Sequence, residues 1–160
     1  DLINDIWGLK YDDTMAGVIA EAGLPCCLMH NRDNTDYHNF MEDVAADLSD
    51  TLFLARKAGI REEGIILDPG VGVGFGKTYE NNLEIINRLE ELKVFGYPVL
   101  LGTSRKSVIG LTLSLPVEER VEGTLVTTVF AVQQGYAFVR VHDIKANKQA
   151  IQMTKAIMEA

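Results

Sequence analysis

The sequence is poor in the features that mark several protein classes. Only two cysteines occur, Cys26 and Cys27, adjacent and inside an apolar run; that setting predicts two small buried hydrophobes in a strand, neither a disulfide framework nor a metal pair. No apolar stretch approaches the roughly 20 residues that span a bilayer, and no charged-then-apolar leader opens the chain, so no membrane partner and a cytoplasmic location are expected. A basic surplus is missing too. With a formal net charge of −8, the chain lacks the extended cationic surface that holds a nucleic-acid backbone, although a small anion can still bind locally. What is present, 47% hydrophobic and 24% charged residues over 160 positions, is the composition of a single globular domain over 1–160, long enough to bury a sizeable core.

Read for hydrophobic period, the chain repeats one unit: a short apolar run, a polar or glycine-rich loop, then a longer segment at helical spacing. The predicted strands are 2–6, 26–30, 65–68, 99–102 and 138–142, and the predicted helices lie near 13–22, 40–58, 79–94, 117–134 and 145–158. Alternation at about 30 residues per unit implies parallel strands joined by crossovers, because a tight hairpin cannot link parallel neighbours. An open doubly wound sheet would carry a glycine fingerprint after its first strand, where this chain has Asn4 and Asp5. The fold class expected is therefore α/β, a parallel (β/α)8 TIM barrel. Since such a barrel typically takes about 250 residues, an incomplete barrel of five βα units is predicted, with three units preceding it.

Polar residues gather at the carboxyl ends of the apolar runs: Asn4 and Asp5, His30, Asp68, Ser104-Arg105-Lys106, then Arg140, His142 and Asp143. In parallel α/β folds these ends share one face, so residues distant in sequence meet at one mouth. Arg140 and His142 are two apart on a predicted strand and point to one side. Burying them is costly without a partner, which leaves a salt bridge inside the barrel or, with more weight, a ligand.

The segment Asp68-Pro69-Gly70-Val71-Gly72-Val73-Gly74-Phe75-Gly76-Lys77-Thr78 lets backbone approach a ligand closely. It is not a P-loop, because Val71 stands where the GxxxxGK[ST] pattern needs its first glycine. Gly102-Thr103-Ser104-Arg105-Lys106 follows a strand and opens a short helical stretch, bringing main-chain donors and two cations together for an anion or a planar acceptor.

In chain order, Ile3-Asn4-Asp5-Ile6, Met29-His30, Asp68-Pro69-Gly70 with Phe75-Gly76-Lys77, Gly102-Thr103-Ser104-Arg105-Lys106 with Ile109-Gly110, Arg120-Val121-Glu122-Gly123-Thr124 and Arg140-Val141-His142-Asp143 resemble the motifs of the dihydropteroate synthase family. The resemblance covers essentially the whole sequence and implies barrel strands four to eight. It implies that Asn4 and Asp68 hydrogen-bond a pterin ring, that Met29 packs on it, and that Lys106 reaches a ring acceptor while its stem flanks p-aminobenzoate, with Ser104 and Phe75 nearby. It implies further that Arg140 stacks on the pterin and, with His142, binds the leaving pyrophosphate, so that Lys106, Arg140 and His142 carry the catalytic roles. The implied cofactor is Mg2+, with its ligand in the family's preceding segment and none in this chain. The reaction implied is condensation of 6-hydroxymethyl-7,8-dihydropterin diphosphate with p-aminobenzoate. Relative to the family pattern, two extra residues separate Asp68 from Phe75; glycine tolerates positive φ, so the loop can bulge with both anchors in place, or the wall formed by Phe75 can shift.

The segment 121–132 is apolar or small nearly all round, which predicts two buried sides: one on the barrel, the other on a second subunit of the homodimer that the resemblance implies, or else beneath the segment missing from the chain. Three other readings stand beside the synthase: a pterin-binding methyltransferase on the same barrel, a Schiff-base enzyme using Lys106, and a fragment without activity of its own. Pyrophosphate release that depends on p-aminobenzoate distinguishes the synthase from the first, borohydride trapping tests the second, and the length of the intact protein tests the third.

Overall fold

A computed structural model describes residues 1–160. The order of elements is β1 (Ile3–Asp5), α1 (Met15–Ala22), β2 (Cys26–Met29), α2 (Phe40–Ala58), β3 (Ile65–Asp68), α3 (Tyr79–Asn87), β4 (Leu100–Leu101), α4 (Ser107–Leu113), α5 (Val121–Gln133), β5 (Phe138–Val139) and α6 (Ile144–Met158). Strands β1, β2 and β3 form one parallel sheet, β4 and β5 a parallel pair. A single parallel bridge, Leu67 with Val99, and the bond from Leu67 N to Pro98 O (2.9 Å) join the two. The strands thus run parallel in chain order, without the reversal at which an open doubly wound sheet switches direction.

Pairing register sorts the side chains onto two faces. Asn4, Cys27 and Ile66 stand level across three strands, and Met29 and Asp68 stand level two residues further on, so these five share one face. Leu28 and Leu67, on the other face, are wholly buried beneath the helices. Against them α2 presents Val44, Leu48, Leu52 and Ala55, the four-four-three spacing of a helical stripe. Glu42 and Asp43 in its first turn and Arg56 and Lys57 in its last suit the helix dipole, and Gly59, at φ 85°, stops it in the left-handed conformation. Replacing Leu67 with Ala should cost about 2–5 kcal/mol, because a fully buried side chain leaves a cavity. A lowered urea midpoint at unchanged slope measures this.

Several predicted boundaries move. The helix expected at 79–94 divides: α3 ends at Asn87 and a 3-10 segment, Leu89–Phe95, follows. Its buried Leu89 and Leu92 are three apart, which matches the three-residue turn of a 3-10 helix. The helix expected at 117–134 also divides, with a 3-10 turn, Val117–Glu119, after Pro116, whose fixed φ starts a new helical segment. Cys26 and Cys27 are free and fully buried, and burial pushes the Cys27 thiol up to about 12. They are packing residues, as expected.

Candidate functional site

The face shared by Asn4, Cys27, Met29 and Asp68 leads to the carboxyl ends of the strands. Asp68, the last residue of β3, is 3% exposed; its Oδ1 accepts from Gly70 N at 2.7 Å, and its own carbonyl accepts from His30 N at 2.9 Å. Burial pushes its carboxyl above the ordinary range, while the Gly70 amide and the charges of Lys106, Arg140 and Lys77 oppose that shift.

Lys106 sits just ahead of α4. Its half-buried side chain crosses the mouth so that Nζ donates to the Val71 carbonyl and lies 5.3 Å from the centre of the Phe75 ring. Burial lowers its pKa against the attraction of Asp68. Gly102, the residue after β4, leaves room that Arg140 uses: Nε and Nη2 of Arg140 lie 3.6 Å from where a Cβ would stand, and Asp68 Oδ2 lies 3.8 Å from the same point. A carboxylate, two cations and an aromatic ring therefore meet above β3 and β4. Asn4 is exposed on the same face, two strands from Asp68, or roughly 10 Å at the usual strand spacing. Met29, between them, is 2% exposed.

Several expectations are corrected. The strand expected at 138–142 ends at Val139, so Arg140 and His142 lie beyond it, and both are exposed, not buried. The reason is that β5 has a neighbour, β4, on one side only. Arg140 makes no ion pair within the chain, so the salt-bridge alternative does not describe it. His142 does not join the Asp68 group directly: its backbone N and ring Nδ1 lie 3.1 and 2.9 Å from Ser104 Oγ. Arg105 was expected to add a second cation beside Lys106. It is instead held left-handed at φ 54° and clamped by Asp143 at 2.6 and 2.9 Å, leaving Lys106 as the cation of that motif at the mouth.

A sequence model described as "Pterin binding enzyme" matches residues 1–142. The chain belongs to this family. The dihydropteroate synthase of Clostridium beijerinckii is 58% identical over 99% of the chain and 58% of its own length; that of Bacillus subtilis is 48% identical over 98% and 54%. The crystal structure of a dihydropteroate synthase from Clostridium difficile in the presence of pteroic acid superposes with a TM-score of 0.93 at 47% identity, over 98% of this chain and 59% of that one. The chain thus spans little more than half the length of the relatives it matches, and its parallel α/β fold is similar to theirs.

The mouth combines a buried carboxylate acceptor with an unpaired guanidinium. No three His, Cys, Asp or Glu side chains come together as a metal-binding cluster. Sequence reasoning also missed a chain of Lys77, His30 and Asp47 next to the site, its first two members buried. Its only signal was the placement of His30 at a strand end and Lys77 after the glycines. No helix is long and apolar enough to cross a membrane.

Proposed function

We propose that this chain is the portion of a dihydropteroate synthase that carries the pterin pocket, five βα units of an eight-unit barrel. The meeting of Asp68, Lys106 and Arg140 at one strand-end mouth is the observation that carries this reading. Asn4 and Asp68 take the donors and acceptors of the pterin edge, Met29 packs below the ring, and Arg140 stacks on it. The stem of Lys106, with Phe75 and Ser104, lines the p-aminobenzoate side. The arylamine nitrogen bonds to the pterin methylene carbon, the carbon-oxygen bond to the diphosphate breaks, and the amine gives up a proton. Arg140 and His142, whose ring Ser104 seats, hold the departing diphosphate, and no covalent nucleophile is required. Mg2+, if it shields the diphosphate, would take its protein ligand from outside these residues.

Homodimerisation belongs to the same proposal. The inner side of α5 is buried through Thr124, Thr127, Thr128 and Ala131, whereas its outer side, with Val126 and Phe130 exposed, forms one wall of an apolar groove with α3 and α4. Of the two buried sides expected, the second is thus open in the single chain, where a second subunit would cover it.

The test is release of pyrophosphate that depends on p-aminobenzoate. A longer polypeptide that contains this sequence and its preceding barrel units should show it, and residues 1–160 alone should not turn over. Methyl transfer to a corrinoid without pyrophosphate release would favour the methyltransferase instead, and full activity in residues 1–160 would overturn the placement.

A further inference from the structure

The loop from Pro69 to Lys77 has four glycines and no helix or strand, and its middle is held by the buried Asn82, whose Oδ1 accepts from Gly72 N at 2.5 Å. The two ends of the loop press on the chain that follows β2. A Cβ on Gly70, at φ 70°, would meet the His30 carbonyl at 2.0 Å; one on Gly76, at φ 66°, would meet the Asn34 carbonyl at 2.6 Å. Only glycine allows this approach.

Lys77 lies at the end of that loop and is 2% exposed, yet it forms no ion pair. Its ammonium reaches three acceptors: His30 Nδ1 at 2.7 Å, the Phe75 carbonyl at 3.2 Å and the His30 carbonyl at 3.4 Å. An ammonium has three donors, so the count matches. Burial pushes the His30 ring down to about 4, which keeps it neutral at ordinary pH. With Nε2–H donating to Asp47 at 2.9 Å, Nδ1 is left to accept from Lys77. Asp47 is fixed in turn by Arg32 at 2.5 Å. Burial also pushes Lys77 itself down to about 7, against the pull of Asp68 and Asp47 and with the push of Lys106 and Arg32. A buried cation without a carboxylate contact costs stability, so what it returns is geometry.

We propose that Lys77 is a positioning residue for the aminobenzoate side of the site: it ties the glycine-rich loop at Phe75 to the end of β2 at His30, and so fixes the Phe75 ring that lies beside the Lys106 ammonium. Phe75 and Lys106 flank aminobenzoate only under the reading proposed above, on which this inference rests; the tether itself does not. The strands that carry Asp68 and Asn4 pair through β2 by backbone bonds that do not involve Lys77, although its charge reaches the Asp68 carboxyl.

The test compares Lys77→Met with the parent in the longer polypeptide. The KM for p-aminobenzoate should rise at least tenfold, with kcat within about twofold and a smaller loss of pterin affinity from the missing charge near Asp68, a split that general loss of structure would not give. In the same variant, amide exchange at residues 73–76 should quicken about tenfold while Gly72, held by Asn82, and Leu28 and Leu67 stay protected. Unchanged KM together with unchanged exchange overturns the proposal. If the parent shows no aminobenzoate-dependent turnover, the synthase reading fails and the exchange result alone decides the tether. Should Lys77→Met not fold, nuclear Overhauser contacts from the Lys77 ammonium protons to His30 and Phe75 in the parent decide it: present, the tether stands; absent, it does not.

Discussion

The Asp68→Asn variant should lose pterin binding while folding at least as well as the parent. Asn keeps the oxygen that accepts from Gly70 N, so the turn after β3 survives. It discards a carboxylate whose burial raises its pKa. The sign follows directly: a carboxyl that is harder to ionise in the folded state opposes folding once pH exceeds its ordinary value of about 3.9, and that opposition persists at neutral pH. Removing the charge therefore leaves the melting temperature unchanged or higher. For the ligand the exchange is unfavourable, because a hydrogen bond to a charged group is worth about 1.5–3 kcal/mol and an amide NH2 faces the ring donors where an acceptor stood. If the pterin edge makes two such bonds, the loss is roughly 100-fold or more in Kd. Calorimetric titration with a dihydropterin, beside a thermal melt, separates the two effects. Parental affinity in a folded variant would remove Asp68 from the pterin site.

The parts of this structure legible in the sequence are those set by local chemistry. The 40–58 helix is found at its expected bounds because its apolar stripe, acidic start, basic end and terminal glycine all agree. The mouth was legible for a similar reason: a polar residue at the end of an apolar run has few places to go, and Asp68, Lys106 and Arg140 all lie there. What the sequence concealed depends on neighbours. Whether Arg140 is buried is decided by what flanks β5, which no pattern within 138–142 encodes. The loss of Arg105 to Asp143 is likewise a contact across 38 positions, and a Ser-Arg-Lys triplet reads as two free cations until the partner is seen. The Lys77 tether spans 47 positions and joins residue types that are not ordinarily paired.

Arg140→Ala should do the reverse of a core substitution: little to stability and much to the reaction. The residue is exposed, its guanidinium makes no hydrogen bond or ion pair within the chain, and Nε and Nη2 lie over Gly102. Truncating such a side chain normally changes stability by no more than about 0.5 kcal/mol. The backbone bond that places the residue, Arg140 N to Leu101 O at 3.0 Å, is kept in the variant. In the proposed reaction, however, this unpaired cation stands beside Asp68 and above β4, where negative charge builds on the departing diphosphate. Loss of one preorganised donor to developing charge typically costs about 100- to 1000-fold in rate, and the stacked plane on the pterin face goes with it. Arg140→Lys should recover only part of this, since an ammonium supplies the charge without the planar fork or the flat surface. The expected pattern is a parental melting curve for both variants and kcat/KM in the order Arg, then Lys, then Ala. A lysine variant with parental kcat/KM would reduce the role of Arg140 to charge alone, and an active alanine variant would place diphosphate departure elsewhere.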